Sequence, residues 1–119
     1  MSDLKEAVQA AILAHGMWKS HLAMAIGSGQ SKFVPAEAKK EEGCQFGKWL
    51  LSDPNLKKSP HFANIKALHA TFHQEAAKVL TLALEGKKDD ARAAMSRDKP
   101  FEETSATLTK ALLAWKKEA

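Results

Sequence analysis

The residues best suited to chemistry in this chain are its single cysteine and three of its five histidines. Cys44 opens the stretch CQFGKWL, and His15, His69 and His73 fall at positions whose spacing predicts burial. Neutral imidazoles with one thiolate in a tetrahedral array are typical ligands of Zn²⁺. Without a common partner, several buried imidazoles would each cost about 1–3 kcal/mol. We therefore predict one zinc ion bound by His15, Cys44, His69 and His73.

The first segment that must position these residues is a long helix over about residues 3–26. His15 belongs to a stripe that steps by four and three residues alternately, comprising Leu4, Val8, Ala11, His15, Trp18, Leu22 and Ala25. That spacing is typical of the buried side of a helix in a bundle. His21 lies about 100° away from the stripe. We expect His15 to face the core, His21 to face the rim, and residues 27–29 (Gly-Ser-Gly) to end the helix.

A second long helix is predicted over about residues 60–85, ended by Gly86. Its stripe comprises Phe62, Ile65, His69, Phe72, Ala76, Val79 and Ala83, widened by His73 and Leu80. His69 and His73 are four residues apart, so their Cβ atoms lie on one face about 5–6 Å apart. That separation suits two imidazoles on one metal ion. His61 and His21 are predicted not to be ligands.

The remaining segments are a loop over residues 28–41, a short helix over about 43–51 that carries Cys44, and a final helical segment after Gly86. Gly47 in the short helix indicates close approach to a neighbouring helix. The final segment repeats apolar residues every seven positions through Pro100, at Ala94, Phe101, Leu108 and Trp115. Because this phase persists, we expect one helix kinked at Pro100 rather than two stacked pieces. The fold class is then all-α, a four-helix bundle of three long helices and one short Cys-bearing helix, in one domain spanning residues 1–119.

Composition and charge narrow the function classes. The net charge of +4 comes from scattered lysines, whereas a nucleic-acid-binding protein typically concentrates its basic residues on one stripe. One cysteine excludes an internal disulfide and suits a reducing compartment. The charged N-terminus is not typical of a secretory signal, and no apolar run approaches the roughly 18 residues of a membrane span. We expect a cytoplasmic domain without membrane contact.

Four protein ligands would close the zinc coordination shell, which argues against an open catalytic water and against an enzyme. A zinc-bound thiolate nevertheless remains a nucleophile that oxidants attack, so Cys44 is also predicted to be redox-reactive. Simpler interpretations stay open. A lone cysteine in a helical protein is often a small buried apolar residue, and a histidine pair four residues apart can lie on a surface.

Three motifs in this chain resemble the chemoreceptor zinc-binding domain family, abbreviated CZB. They read HGMWK from His15, CQFGKW from Cys44 and HATFH from His69 to His73. The resemblance implies a helical bundle with a zinc site of three histidines and one cysteine. It also implies a cytoplasmic sensory module, dimeric in this family, on bacterial chemotaxis receptors and diguanylate cyclases. Zinc availability, or oxidation of the thiolate by agents such as hypochlorous acid, would be the signal.

Two other classes of protein are alternatives. A non-catalytic helical interaction module, with structural zinc or with incidental histidines, uses the same residues. A di-iron bundle needs an acidic residue three positions before its histidines, and here those positions hold Ile12, Trp18, Lys58, Lys66 and Ala70. The di-iron site is therefore disfavoured.

Overall fold

A computed structural model of the chain describes residues 2–31, 34–38, 45–52, 54–96 and 98–117. All regular structure in these ranges is helical, which confirms the all-α bundle. The α-helices are α1 Ser2–Ser28, α2 Pro35–Ala38, α3 Gln45–Ser52, α4 Phe62–Leu84, α5 Lys88–Ala94 and α6 Pro100–Lys117. A 3₁₀ turn at Pro54–Lys58 precedes α4.

Helix α4 forms the centre of the bundle, in contact with α1, α2, α5 and α6. Its buried residues are Phe62, Ile65, His69, Phe72, His73, Ala76, Ala77, Val79, Leu80 and Ala83. These include every position of the predicted stripe. Because a fully buried Leu, Ile or Phe side chain contributes about 1.5–3 kcal/mol, this stripe supplies much of the stability of the bundle.

Helix α1 buries five positions of the stripe predicted for it and partly buries the other two, Leu4 and Trp18. The five in the core are Val8, Ala11, His15, Leu22 and Ala25. It ends where Gly29 adopts a left-handed conformation, φ 75°, and donates its N–H to the carbonyl oxygen of Ala25 over 2.8 Å. Gly86 has φ 79° just after α4. Both helix ends fall within two residues of their predicted positions.

The loop predicted over residues 28–41 is wrong for Pro35–Ala38, which form the short helix α2. Proline fits the first turn of a helix because its missing N–H would have no partner there, and the following Ala-Glu-Ala are good helix formers. The short helix predicted over 43–51 corresponds to α3, which begins at Gln45. Cys44 lies outside the described residues, so its predicted location on that helix stays a prediction.

The single kinked helix expected at the end of the chain is also wrong, because the segment forms two helices. The backbone leaves α5 at Met95, and Pro100 begins α6. Proline disfavours helical geometry in the residue before it and lacks the N–H that would bond the preceding turn. The seven-residue phase nevertheless predicted burial correctly, since Phe101, Leu108 and Trp115 are all in the core.

In the part of the chain that the structure describes, no helix combines the length and the apolar character needed to cross a membrane.

Candidate metal centre

Three imidazoles meet in the core between α1 and α4. His15, His69 and His73 are 4%, 0% and 2% exposed, so all three are buried. One ring nitrogen from each lies within 4.8 Å of one from each of the others. Among the described residues, this group of three histidines is the one able to hold a metal ion, and it contains no carboxylate.

His69 and His73 approach each other most closely. They lie on successive turns of α4, and their Nε2 atoms are 3.0 Å apart. Two nitrogen ligands on a tetrahedral zinc, with Zn–N near 2.0–2.1 Å, are about 3.3 Å apart. The spacing of this pair therefore fits two ligands of one zinc ion to within a few tenths of an ångström.

A hydrogen bond to the backbone of α2 fixes the orientation of the His73 ring. Its Nδ1 atom is 2.9 Å from the carbonyl oxygen of Ala38. A carbonyl oxygen only accepts hydrogen bonds, so Nδ1 carries the proton and donates. Nε2 of the neutral ring is then an acceptor directed at His69. A backbone carbonyl that fixes the tautomer of a histidine is a common feature of metal sites.

The buried environment keeps two of the rings neutral. Burial, then the neighbouring His73 and His15, lowers the pKa of His69 from 6.5 to about 2. Burial and then His73 lower the pKa of His15 from 6.5 to about 4. Metal ions bind the deprotonated imidazole, so protons compete little for these two rings at neutral pH. The donor set fits zinc in its chemistry as well as in its spacing.

Aromatic rings enclose the cluster. Phe46 of α3 lies edge-on to His15 and His69, with ring centroids 5.9 and 5.2 Å apart. Phe72 of α4 contacts His15 from another side at 4.9 Å. This apolar wall excludes water and strengthens electrostatic interactions inside the site.

The two remaining histidines lie away from the cluster. His21 is half-buried beside Trp18, with ring centroids 5.7 Å apart. His61 immediately precedes α4 and stacks on Trp115 of α6 at 6.4 Å. Neither belongs to the group of three. The different environments of His15 and His21 match the predicted stripe of α1.

Sequence reasoning missed Ala38 and Phe46. The role of Ala38 is carried by a backbone carbonyl, and its only sequence signal was the helix-forming run after Pro35. Phe46 belongs to the motif CQFGKW, but the sequence did not predict its contacts with His15 and His69. Gly47 of the same motif is buried, while its predicted close approach to another helix stays a prediction.

Comparison with known proteins agrees with this geometry. Searches of curated proteins and of solved structures gave no match. The family model of the chemoreceptor zinc-binding domain matches residues 15–80, more than half of the chain, beginning at His15 and including Cys44, His69 and His73. The chain belongs to the chemoreceptor zinc-binding domain family.

Proposed function

We propose that this chain is a regulatory zinc-binding domain in which His15, Cys44, His69 and His73 hold one zinc ion. The observation that carries the proposal is the convergence of three buried, ring-to-ring imidazoles on one point between α1 and α4. Burying three imidazoles costs free energy of folding unless their ring nitrogens have a common partner. One zinc ion satisfies this requirement with ligands it prefers.

Cys44 is the proposed fourth ligand. It precedes Phe46 by two residues, and Phe46 contacts both His15 and His69. Two residues of chain span at most about 7 Å, so the contacts of Phe46 are compatible with Cys44 as the fourth ligand. A Cys-His₃ set would complete a closed tetrahedral site, which supports a regulatory role over a hydrolytic one.

The proposed signal is zinc availability, oxidation of the Cys44 thiolate, or both. With hypochlorous acid, the thiolate sulfur attacks the chlorine, the Cl–O bond breaks and hydroxide leaves. Water then displaces chloride from the resulting sulfenyl chloride, which gives a sulfenic acid and releases a proton. The sulfenic acid is a poorer ligand than the thiolate because it has lost the negative charge on sulfur. Oxidation would therefore loosen the metal and the contacts around it.

Family membership supports the wider setting of the proposal. We infer a cytoplasmic homodimer that acts on chemotaxis or cyclic-di-GMP signalling through a receptor or diguanylate cyclase module, without catalysis of its own. The second candidate is a non-catalytic helical interaction module in which zinc is purely structural. A di-iron site is not favoured, because the metal-binding group in the described residues lacks carboxylates.

The test is the zinc content and the Cys44 oxidation state of purified protein, each measured before and after mild hypochlorous acid. A sensor of oxidants loses zinc in proportion to Cys44 oxidation. A sensor of zinc level keeps Cys44 reduced under the same treatment but exchanges its metal with a competing chelator. Purified protein without stoichiometric zinc, or zinc retained both after oxidation and against the chelator, contradicts the regulatory role.

A further inference from the structure

A row of aromatic side chains leads from the candidate metal centre to the last helix. Phe46 of α3, which lines the centre, stacks on Trp49 of the same helix, with ring centroids 5.6 Å apart and an interplanar angle of 27°. Trp49 meets Trp115 of α6, with ring centroids 5.7 Å apart. Aromatic pairs attract each other at centroid distances of about 4.5–7 Å. The imidazoles of the centre are thus connected to α6 through three rings in contact.

Helix α3 depends on contacts of this kind for its position. It has eight residues, and an isolated helix shorter than about 12–15 residues is only marginally stable in water. Gly47 within it lowers the helix propensity further. Phe46 and Trp49 are three residues apart and therefore lie on the same side of the helix. The side of α3 that covers the histidines is thus the side that contacts α6.

Trp115 also contacts the start of α4. The ring of His61, immediately before that helix, stacks on the buried ring of Trp115, with centroids 6.4 Å apart and an interplanar angle of 26°. Next in the chain, Lys116 donates to the side-chain oxygen of Gln9 on α1 over 2.6 Å. This end of α6 therefore touches α1, α3 and the start of α4, the helices that carry or adjoin the four proposed ligands. Helix α6 supplies none of these ligands itself.

A buried tryptophan stabilises a helical bundle wherever it lies, so burial alone gives Trp115 no special role. Its place between α3 and α4 does, because the ring contacts both elements at once. Leu108 offers the comparison, since it is buried in the same helix two turns earlier, about 10 Å away along the axis. Truncating Leu108 lowers stability but leaves the row of rings complete. The two positions therefore separate an effect on the site from an effect on stability.

We propose that Trp115 is a positioning residue for the zinc site, which acts through Trp49 and holds α3 so that Cys44 completes the set of four ligands. This rests on the proposed function and adds a residue outside the range 15–80 matched by the family model. Metal ligands must be held to within about 0.5 Å of their productive geometry. The three histidines lie on the long helices α1 and α4, whereas the cysteine precedes the short helix α3. Loss of the Trp115 ring therefore weakens the bond from the thiolate to the metal more than it disturbs the imidazoles.

Cobalt(II) in place of zinc reports this bond directly, because a cobalt–thiolate bond gives a near-ultraviolet charge-transfer band that imidazole ligands do not give. The band per bound cobalt and the zinc affinity are compared for wild type, Trp115→Leu, Trp115→Phe and Leu108→Ala. We expect Trp115→Leu to weaken the band and to lower the zinc affinity about tenfold or more, the usual effect of losing a group that orients a ligand. Trp115→Phe keeps a ring in the row and should retain both the band and the affinity. Leu108→Ala should retain both as well.

Three results would count against the proposal. An undiminished band and affinity in Trp115→Leu overturn it while leaving the zinc site in place. An equal loss in Leu108→Ala also overturns it, because the effect would then follow stability rather than position. A wild type that lacks the band contradicts Cys44 as a ligand, and with it both the proposed function and this proposal.

Trp49→Leu keeps the test decisive where Trp115→Leu does not fold, since Trp49 is only partly buried. We expect the same loss of the band, and a band retained in Trp49→Leu contradicts action through Trp49. Where both single variants fold, the double variant should bind zinc about as tightly as the weaker of the two, because residues that act through one contact are not additive. Additive losses of zinc affinity overturn the proposal.

Discussion

The Nδ1 atom of His73 donates a hydrogen bond to the carbonyl oxygen of Ala38 over 2.9 Å, so a four-residue helix decides which nitrogen of His73 faces His69. For both Nε2 atoms of this pair to bind one ion, His69 must carry its proton on Nδ1. The short helix α2 is thus a positioning element that acts on the site through a backbone carbonyl.

Displacing α2 should therefore weaken zinc binding without touching a ligand. Ala38 is buried, so Ala38→Val adds methyl groups that force the helix outward. We expect zinc affinity to fall by about 10–100-fold, the usual effect of losing a partner that orients a ligand. Ala36→Val, at an exposed position of the same helix, is the control and should bind like wild type. The zinc affinities are measured by chelator competition. Equal zinc affinities for the two variants would contradict the role of the Ala38 carbonyl in orienting His73.

Acid should destabilise the zinc-free protein. His69 and His15 have pKa values lowered to about 2 and about 4 in the folded state, against 6.5 for an unperturbed histidine. The unfolded chain therefore binds more protons as the pH falls below about 6.5, and the free energy of unfolding decreases. We expect a loss on the order of 2 kcal/mol or more between pH 7 and pH 5, read from urea unfolding.

The matched control for this pH dependence is His15→Leu, which removes one of the two buried imidazoles whose pKa is lowered. Its unfolding midpoint should vary less with pH over the same interval. A zinc-free wild type that is equally stable at pH 7 and pH 5 would contradict the neutral state of the buried rings.

Removing zinc should lower the melting temperature, because the free energy of metal binding is partly free energy of folding. A ligand held at a thousand times its dissociation constant stabilises by about 4 kcal/mol, which corresponds to roughly 10 °C or more for a domain of this size. A chelator should have no such effect on His69→Ala, which serves as the control. An unchanged melting curve for wild type after verified zinc removal would exclude a structural contribution from the metal.

Gly16 offers a prediction on stability that is independent of the metal. It lies in the middle of α1, is exposed, and a Cβ atom there would meet nothing within 4 Å. Gly16→Ala should stabilise the protein by about 0.5–1 kcal/mol, since alanine loses less conformational entropy in a helix. The free energy of unfolding of wild type and of Gly16→Ala is compared by urea denaturation. A Gly16→Ala variant that is less stable than wild type would contradict the open surroundings of Gly16 in α1.

Long amphipathic helices were predictable from the sequence to within two residues, as α1 and α4 demonstrate. Their stripes also identified His15, His69 and His73 as core residues, since a side chain on a regular helix follows from its position alone. Helix α2, Pro35–Ala38, is too short to carry a periodic signal. The break before Pro100 was not predicted, because the seven-residue spacing of apolar residues continues when two helices stack in register. The contact between His73 and Ala38 involves a backbone carbonyl 35 residues away, for which side-chain patterns give no signal.

The proposed zinc site is tested most directly by the zinc content per chain of wild type and four single variants. We expect one zinc per chain in wild type and in His21→Ala, and loss of zinc in Cys44→Ala, His69→Ala and His15→Ala. His21 is the control because it lies on the same helix as His15 but outside the cluster. Zinc lost from His21→Ala and retained in His15→Ala, or wild-type protein without stoichiometric zinc, would contradict a site formed by His15, Cys44, His69 and His73.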